Sequence, residues 1–260
     1  MNYGLAITTY NNFSSLVNLL NDITIHEKQF DIILIVDDCS SNALQEFDKI
    51  KNLFKKKFNN LDIKIFENNF GGATRSRNYA IEYFKKINFD YLTFLDQDDK
   101  LDRKFLIKIH DCLSNSVKID AINSNYQRKS IINKKYKIKN NLLKELKLND
   151  FKYHNFVSMS GFTINLKSNF LTRFNEDKKF NAIEDYDFYL SFLKEGKNFY
   201  LLNLPLIEYG YYYSNYHLSR NKFKMLIKFS RVNLKNFSLI GYPFRILIWI
   251  LINFKKRIFY

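Results

Sequence analysis

Short strand-like runs alternate with amphipathic stretches over the first hundred residues. The runs typical of strands in a buried parallel sheet lie at residues 4–8, 32–36, 63–66 and 91–95. After the first run, apolar residues recur with the i, i+3, i+4, i+7 spacing of one helix face, at Phe13, Leu16, Val17 and Leu20. Further helices are expected over 44–54 and 73–87. This β-α-β-α-β-α-β order predicts an α/β fold with a parallel sheet and right-handed crossovers.

The second half of the chain has a weaker pattern. Strand candidates lie at residues 119–122, 161–164 and 199–202. A helix through Tyr186 and Leu190 is expected to end at Gly196, because glycine commonly closes helices.

Residues 221–260 form a basic, amphipathic tail. Met225, Phe229 and Val232 share one helical face, and the wholly apolar run 246–252 is bracketed by Arg245 and by the basic residues 255–257. A bilayer-spanning helix needs about 20 apolar residues, so this run is too short to cross. We expect the tail to lie in the membrane interface, with basic side chains reaching anionic headgroups. A C-terminal helix docked on the domain, or a dimer contact, is the alternative.

Composition narrows the class of protein. The 260 residues suffice for one compact domain with an appendage, and two cysteines are too few for a disulfide framework. No signal peptide is expected, since residues 1–4 run straight into a strand. The net charge of +15 favours polyanionic partners, whether nucleic acid, lipid headgroups or acidic substrates.

Carboxylates gather where the fourth strand ends. Asp96, Asp98 and Asp99 follow the apolar run 91–95, at the edge where open α/β sheets bind ligands. Carboxylates this close repel one another unless a cation lies among them, and oxygen ligands suit Mg²⁺ or Mn²⁺. A solvated turn rich in aspartate is the simpler interpretation.

Four polar segments resemble, in order and spacing, the motifs of family 2 glycosyltransferases. They are Thr8-Thr9-Tyr10-Asn11, Asp37-Asp38-Cys39-Ser40, the glycine-containing stretch 71–78, and Asp96-Gln97-Asp98-Asp99. Cys39 stands where relatives often carry glycine, which suggests a slightly different turn. The resemblance implies a GT-A fold, a Rossmann-like, mixed and mainly parallel sheet flanked by helices, here with the basic amphipathic helical tail. It further implies a nucleotide-sugar donor and a Mn²⁺ or Mg²⁺ cofactor.

The resemblance assigns roles to individual residues. Asp38, or its neighbour Asp37, would hold the nucleobase, Asp96 the ribose, and Asp98 the divalent cation. The remaining donor-binding candidates are Thr8, Tyr10, Gly71, Arg77 and His217. Arg77 would reach the base or the diphosphate. His217 lies in a segment, 212–219, that resembles a loop following the catalytic domain in relatives. The usual arginine is replaced there by Ser214 or displaced to Arg220, and a plain surface histidine is equally consistent with His217.

A second acidic segment, Glu184-Asp185-Tyr186-Asp187, resembles the family's base-bearing motif. By that match Asp185 is the general base for an inverting displacement. Asp187 is the rival, and both acids would also complement a helix dipole.

Together these features predict an inverting glycosyltransferase of the hexosyltransferase type. Residues 1–220 would be the catalytic domain, with 1–100 binding the nucleotide and 101–220 the acceptor, and 221–260 would associate with an anionic membrane. The expected acceptor is a bacterial lipopolysaccharide, lipooligosaccharide or capsule glycan, and the expected location is the cytoplasm, peripheral on the inner face of the cell membrane. No nucleic-acid partner is expected. A basic nucleic-acid-binding protein and a nucleotidyltransferase of similar sheet topology are the alternatives.

Overall fold

A computed structural model describes residues 1–41, 43–57, 62–68, 71–115, 117–128, 142–210 and 221–258. The segment 212–219, which contains the candidate donor ligand His217, lies outside the described residues.

The first half folds as the sequence predicts. Its elements are β1 (Tyr3–Thr9), α1 (Phe13–Ile23), β2 (Ile32–Asp38), α2 (Ala43–Lys57), β3 (Asp62–Asn68), α3 (Ala73–Lys86) and β4 (Tyr91–Asp96). The four strands are parallel in the order β3-β2-β1-β4. The order in which successive strands are added reverses between β1 and β4, and such a switch point is where open α/β sheets bind ligands.

The second half extends the same sheet with mixed pairing. Its elements are β5 (Lys100–Leu101), α4 (Phe105–Leu113), β6 (Ala121–Arg128), β7 (Leu143–Leu146), β8 (Thr163–Asn165), α5 (Glu184–Lys194), β9 (Phe199–Tyr209), α6 (Lys222–Asn236) and α7 (Tyr242–Ile258). β8 joins the halves, because it pairs antiparallel with both β4 and β6. β9 pairs with β5, β6 and β7. The fold is therefore the expected α/β sheet flanked by helices.

Two hydrophobic clusters sandwich the sheet, as alternating strand residues require. Leu5 and Ile33 face one cluster with side chains of α1, α2 and α4, whereas Ala6 and Leu34 face the other with side chains of α3, α5, α6 and α7. Helices thus cover both faces of the sheet in the described chain.

The tail packs against this domain through one face. The Phe229 ring lies parallel to that of Tyr186, with centroids 5.9 Å apart, and also contacts Trp249 at 5.4 Å. The sequence placed Arg245 among the headgroup contacts, and that is wrong: Arg245 is 1% exposed. Its guanidinium donates to Asn233 Oδ1 (2.6 Å) and to the carbonyl oxygens of residues 238 and 240, closing the turn between α6 and α7.

Within the described residues, no helix combines the length and the apolar character needed to traverse a bilayer.

Candidate active site

A cleft of about 610 Å³ opens at the carboxyl ends of β1, β2 and β4. Thr8 and Asp96 are register partners on β1 and β4, and Thr8 Oγ1 donates to Asp96 Oδ1 over 3.2 Å. The sequence-predicted residues that line the cleft are Thr8, Tyr10, Asp38, Arg77, Asp96, Asp98 and Asp185. The candidate metal ligand Asp98 and the candidate general base Asp185 therefore line the same cleft.

The two adjacent aspartates that follow β2 have different roles. Asp37 is 1% exposed and its Oδ2 accepts the backbone N–H of Ser40 at 2.8 Å, so it shapes the turn. Asp38 lines the cleft, and its Oδ1 accepts the backbone N–H of Gly72 at the start of α3. Burial raises the pKa of Asp38, and the Gly72 hydrogen bond opposes that rise. Of the pair, Asp38 is the residue placed to meet a ligand.

The glycine pair shapes the entry to α3. Gly71 has φ +63° and Gly72 has φ +120°, conformations that residues with a Cβ atom rarely adopt. Gly72, rather than the predicted Gly71, lines the cleft.

The three aspartates at the end of β4 are divided between the cleft and the interior. Asp98 lines the cleft, whereas Asp99 is 1% exposed. Asp99 accepts hydrogen bonds from Ser160 Oγ (2.6 Å) and from the backbone N–H of Gly210 (2.7 Å). Burial, reinforced by the charges of Asp98 and Asp96, raises the pKa of Asp99 well above its usual range. Asp99 thus ties β4 to the segments around residues 160 and 210.

Arg77 links the two acidic motifs. It is 5% exposed, and its guanidinium donates to Asp96 Oδ1 and Glu184 Oε1, both at 2.9 Å. Burial lowers the pKa of Arg77, but Asp96 and Glu184 outweigh that effect and raise it overall. The side chain expected to reach the donor therefore joins β4 to α5 across the floor of the cleft.

Asp185 and Asp187 differ in what surrounds them. Asp187 is 2% exposed and forms an ion pair with Lys235 Nζ of α6 at 2.8 Å. Asp185 lines the cleft, where its Oδ2 accepts from Asn155 Nδ2 (2.9 Å) and its Oδ1 from the backbone N–H of Tyr186 (2.7 Å). Geometry therefore favours Asp185 over its rival as the group that meets an acceptor.

The pKa of Asp185 is raised to about 7. Burial is the largest cause and the charge of Glu184 adds to it, while the Tyr186 hydrogen bond and the Arg77 charge oppose it. A carboxylate titrating near neutrality is matched to proton abstraction at ordinary pH.

The far wall of the cleft was not foreseen from the sequence. Tyr126 and Tyr209 have ring centroids 5.7 Å apart, and Phe156 and Met159 continue this largely apolar surface. Asn155, which orients Asp185, comes from the same stretch. None of these residues belongs to a motif with a recognisable spacing, so the sequence carried no signal for them.

Among the described residues, no group of three or more histidine, cysteine or acidic side chains could hold a metal ion. The chemistry of the carboxylates that line the cleft nevertheless fits Mg²⁺ or Mn²⁺. Such cations commonly take one or two carboxylates from the protein and complete their coordination with substrate phosphates and water. Asp98 is the candidate ligand, with Asp96 two residues before it on the same strand end.

This cleft and this sheet order are those of a GT-A glycosyltransferase. The chain belongs to glycosyl transferase family 2, whose sequence profile matches residues 5–178. No curated protein sequence is a significant match. Of the three functions considered from sequence, the family membership supports sugar transfer.

Solved structures share the fold at low sequence identity. The chain is similar to S. aureus TarS 1–349 in complex with UDP-GlcNAc, with 17% identity, a TM-score of 0.64, and coverage of 96% of this chain and 72% of that one. It is also similar to the mannosyltransferase PcManGT from Pyrobaculum calidifontis in complex with GDP-Man and Mn²⁺, with 12% identity, a TM-score of 0.62, and coverage of 95% and 68%. GalNAc-T7 with UDP, GalNAc and Mn²⁺ is similar at 12% identity and a TM-score of 0.54, with coverage of 89% and 47%.

Proposed function

We propose that this glycosyltransferase moves a sugar from a UDP-linked donor to a hydroxyl group of a bacterial surface glycan, with inversion at the anomeric carbon. One observation carries the proposal: Asp98 and Asp185 line the same cleft, at its β4 and α5 ends. A donor diphosphate and an acceptor hydroxyl can therefore occupy it together.

The donor would lie over the ends of β1, β2 and β4. Asp38 would accept an N–H of the nucleobase, and Thr8, Tyr10 and Asp96 would contact the nucleoside, since all four line the cleft. UDP is favoured because TarS and GalNAc-T7 were solved with UDP or a UDP-sugar.

Asp185 would act as the general base. Its carboxylate would take the proton from the acceptor hydroxyl, whose oxygen forms the new bond to the anomeric carbon as the bond from that carbon to the diphosphate oxygen breaks. The bonding electrons leave with the nucleoside diphosphate. Asn155 and the Tyr186 N–H fix the carboxylate, so less of its freedom is lost at the transition state.

Asp98, with Asp96 nearby, would hold Mn²⁺ or Mg²⁺. Two structural neighbours were solved with Mn²⁺. When bound, such a cation neutralises charge that develops on the departing diphosphate.

The acceptor would rest against the wall formed by Tyr126, Phe156 and Tyr209, opposite the strand ends. A lipopolysaccharide, lipooligosaccharide or capsule acceptor suits the basic C-terminal helices, because such acceptors are lipid-anchored or anionic. The enzyme would then work in the cytoplasm, peripheral on the inner face of the cell membrane.

The direct test screens nucleotide sugars for Mn²⁺-dependent release of UDP, first with the wild-type enzyme and then with Asp98→Ala. We expect the variant to lose at least about a hundredfold in rate, and EDTA to reduce the wild-type rate to the same level. Asp111→Ala is the matched control, because Asp111 is an exposed aspartate on α4.

Full activity of Asp98→Ala in excess EDTA would eliminate the metal-assisted mechanism. Pyrophosphate as the product, in place of UDP, would instead indicate nucleotidyl transfer and overturn the proposed reaction.

A further inference from the structure

In the part of the chain that the structure describes, the two C-terminal helices leave an apolar surface uncovered. We call this surface the outer face and define it by eight side chains that are between 42% and 88% exposed. They are Phe223, Ile227 and Leu234 on α6, Leu239 and Ile240 in the connection, and Phe244, Leu247 and Leu251 on α7.

The spacing of these residues separates the outer face from the docked face. On α6 the outer residues follow i, i+4, i+11, while Phe229 and Val232, which are at most 1% exposed, lie on the opposite side. On α7 the outer residues follow i, i+3, i+7, whereas Trp249 is 9% exposed against the domain. Each helix is thus apolar on two sides, and packing among the described residues explains only one of them.

Basic side chains border the outer face on α6. Lys224, Lys228, Arg231 and Lys235 recur every three or four residues. The last three hydrogen-bond or ion-pair with the domain, whereas Lys222 and Lys224 at the start of the helix are exposed. The segment 221–260 carries nine lysines and arginines and no acidic residue. Because the charged residues of this segment are all basic, the outer face complements an anionic, apolar partner.

We propose that the outer face docks onto an anionic lipid bilayer, with α6 and α7 lying in the plane of the interface. Phe244, Leu247 and Leu251 enter the acyl boundary. The exposed Lys222 and Lys224 at the start of α6 meet the headgroups. The surface differs from the one the sequence pattern suggested, because Phe229, Val232 and much of the 246–252 run are committed to the domain.

The pair of helices α6 and α7, which we call the hairpin, also contacts the segment that precedes α5 at one side of the cleft. Lys228 Nζ donates to the carbonyl oxygen of Asn181, and Arg231 Nη1 to that of Lys179 at 2.8 Å. Asn181 lines the cleft. If the proposed function holds, α6 connects the bilayer to the cleft, so a lipid-anchored acceptor is brought to the enzyme that modifies it.

The test is cosedimentation of the full chain with vesicles, without donor or acceptor. Wild type should pellet with phosphatidylglycerol-rich vesicles and remain in solution with pure phosphatidylcholine. Ile240→Glu combined with Leu247→Glu should weaken binding more than about tenfold. Lys224→Gln should weaken it about fivefold, and high salt should mimic that loss.

Leu171→Glu is the matched control, because Leu171 is 87% exposed outside the hairpin, and its binding should equal that of wild type. Circular dichroism and the rate of UDP release to water should be unchanged in the hairpin variants, which separates failed docking from failed catalysis. Equal binding of the double glutamate variant and wild type would overturn the proposal. A dimer that the same variant converts to monomer would also overturn it and assign the face to a second copy of the chain.

Discussion

Replacing Asp185 with asparagine should separate the catalytic role of this side chain from its effect on stability. The pKa of Asp185 is raised from 3.8 to about 7, chiefly by burial. Between pH 3.8 and about pH 7, the Asp185 carboxyl of the folded protein therefore holds a proton that the same group has released in the unfolded chain. The stability that this proton contributes is present at low pH and is lost as the pH rises through 7.

The magnitude follows from the pKa difference. Between about pH 5 and about pH 8 the wild-type protein should lose on the order of 2–3 kcal/mol of unfolding free energy through this group. Asp185→Asn has no such proton to lose. Its amide can accept from either Asn155 or the Tyr186 N–H but not both, so it should also lose about 1 kcal/mol at every pH.

Urea unfolding of both proteins at the two pH values measures the effect. The variant's stability relative to wild type should rise by about 2–3 kcal/mol from pH 5 to pH 8. Over the same range the wild-type transfer rate should increase about tenfold per pH unit up to about pH 7 and then level off. The variant should transfer at least about a hundredfold more slowly.

Asp111→Asn serves as the control, since an exposed aspartate should show no change in relative stability between the two pH values. A stability difference between Asp185→Asn and wild type that stays constant with pH would refute the assignment of a raised pKa. A rate that levels off at about pH 5 would refute it kinetically.

Three further substitutions test the surrounding structure. Arg77→Met removes a charge that lowers the pKa of Asp185, so the midpoint of UDP release plotted against pH should move to higher pH. An unchanged midpoint would contradict the electrostatic role of Arg77. Cys39 has φ +62°, and Cys39→Gly should raise the unfolding free energy by about 1 kcal/mol in thermal melts, an outcome that a lower melting temperature would exclude. Lys235→Met leaves buried Asp187 without its ion-pair partner and should lower the unfolding free energy by roughly 1–2 kcal/mol in urea. The value is reduced because Lys235 is 45% exposed, and an unchanged unfolding free energy at neutral pH would show that the pair contributes nothing.

The first half of the fold could be predicted because burial on both sheet faces leaves a simple pattern. The run Ile32–Val36 is apolar throughout, and it is buried or half-buried at every position in β2. The second half breaks this rule. β6 extends to Arg128, beyond the predicted 119–122, although its middle is polar. Asn123 is fully buried there because its side chain donates to the carbonyl oxygen of Ser158, a partner the sequence does not reveal.

The candidate site divides in the same way. Its motifs lie at strand ends and helix starts, where backbone geometry fixes the positions of Asp38, Asp98 and Asp185, and the structure brings all three to one cleft. Partners from distant segments, such as Asn155 and Tyr126, depend on tertiary contacts and left no local pattern. Cys39 adopts the left-handed conformation that favours glycine, at a cost in strain that no local pattern revealed.

The position of β8 between β4 and β6 has a consequence for synthesis. Until residues 163–165 leave the ribosome, β4 has an unpaired backbone edge and α5 has not yet been made. A nascent chain ending near residue 160 would therefore hold the four parallel strands with an aggregation-prone strand at their border. Translational pausing or premature termination in that interval should yield aggregates, and coexpression with a chaperone that shields strand edges should relieve them.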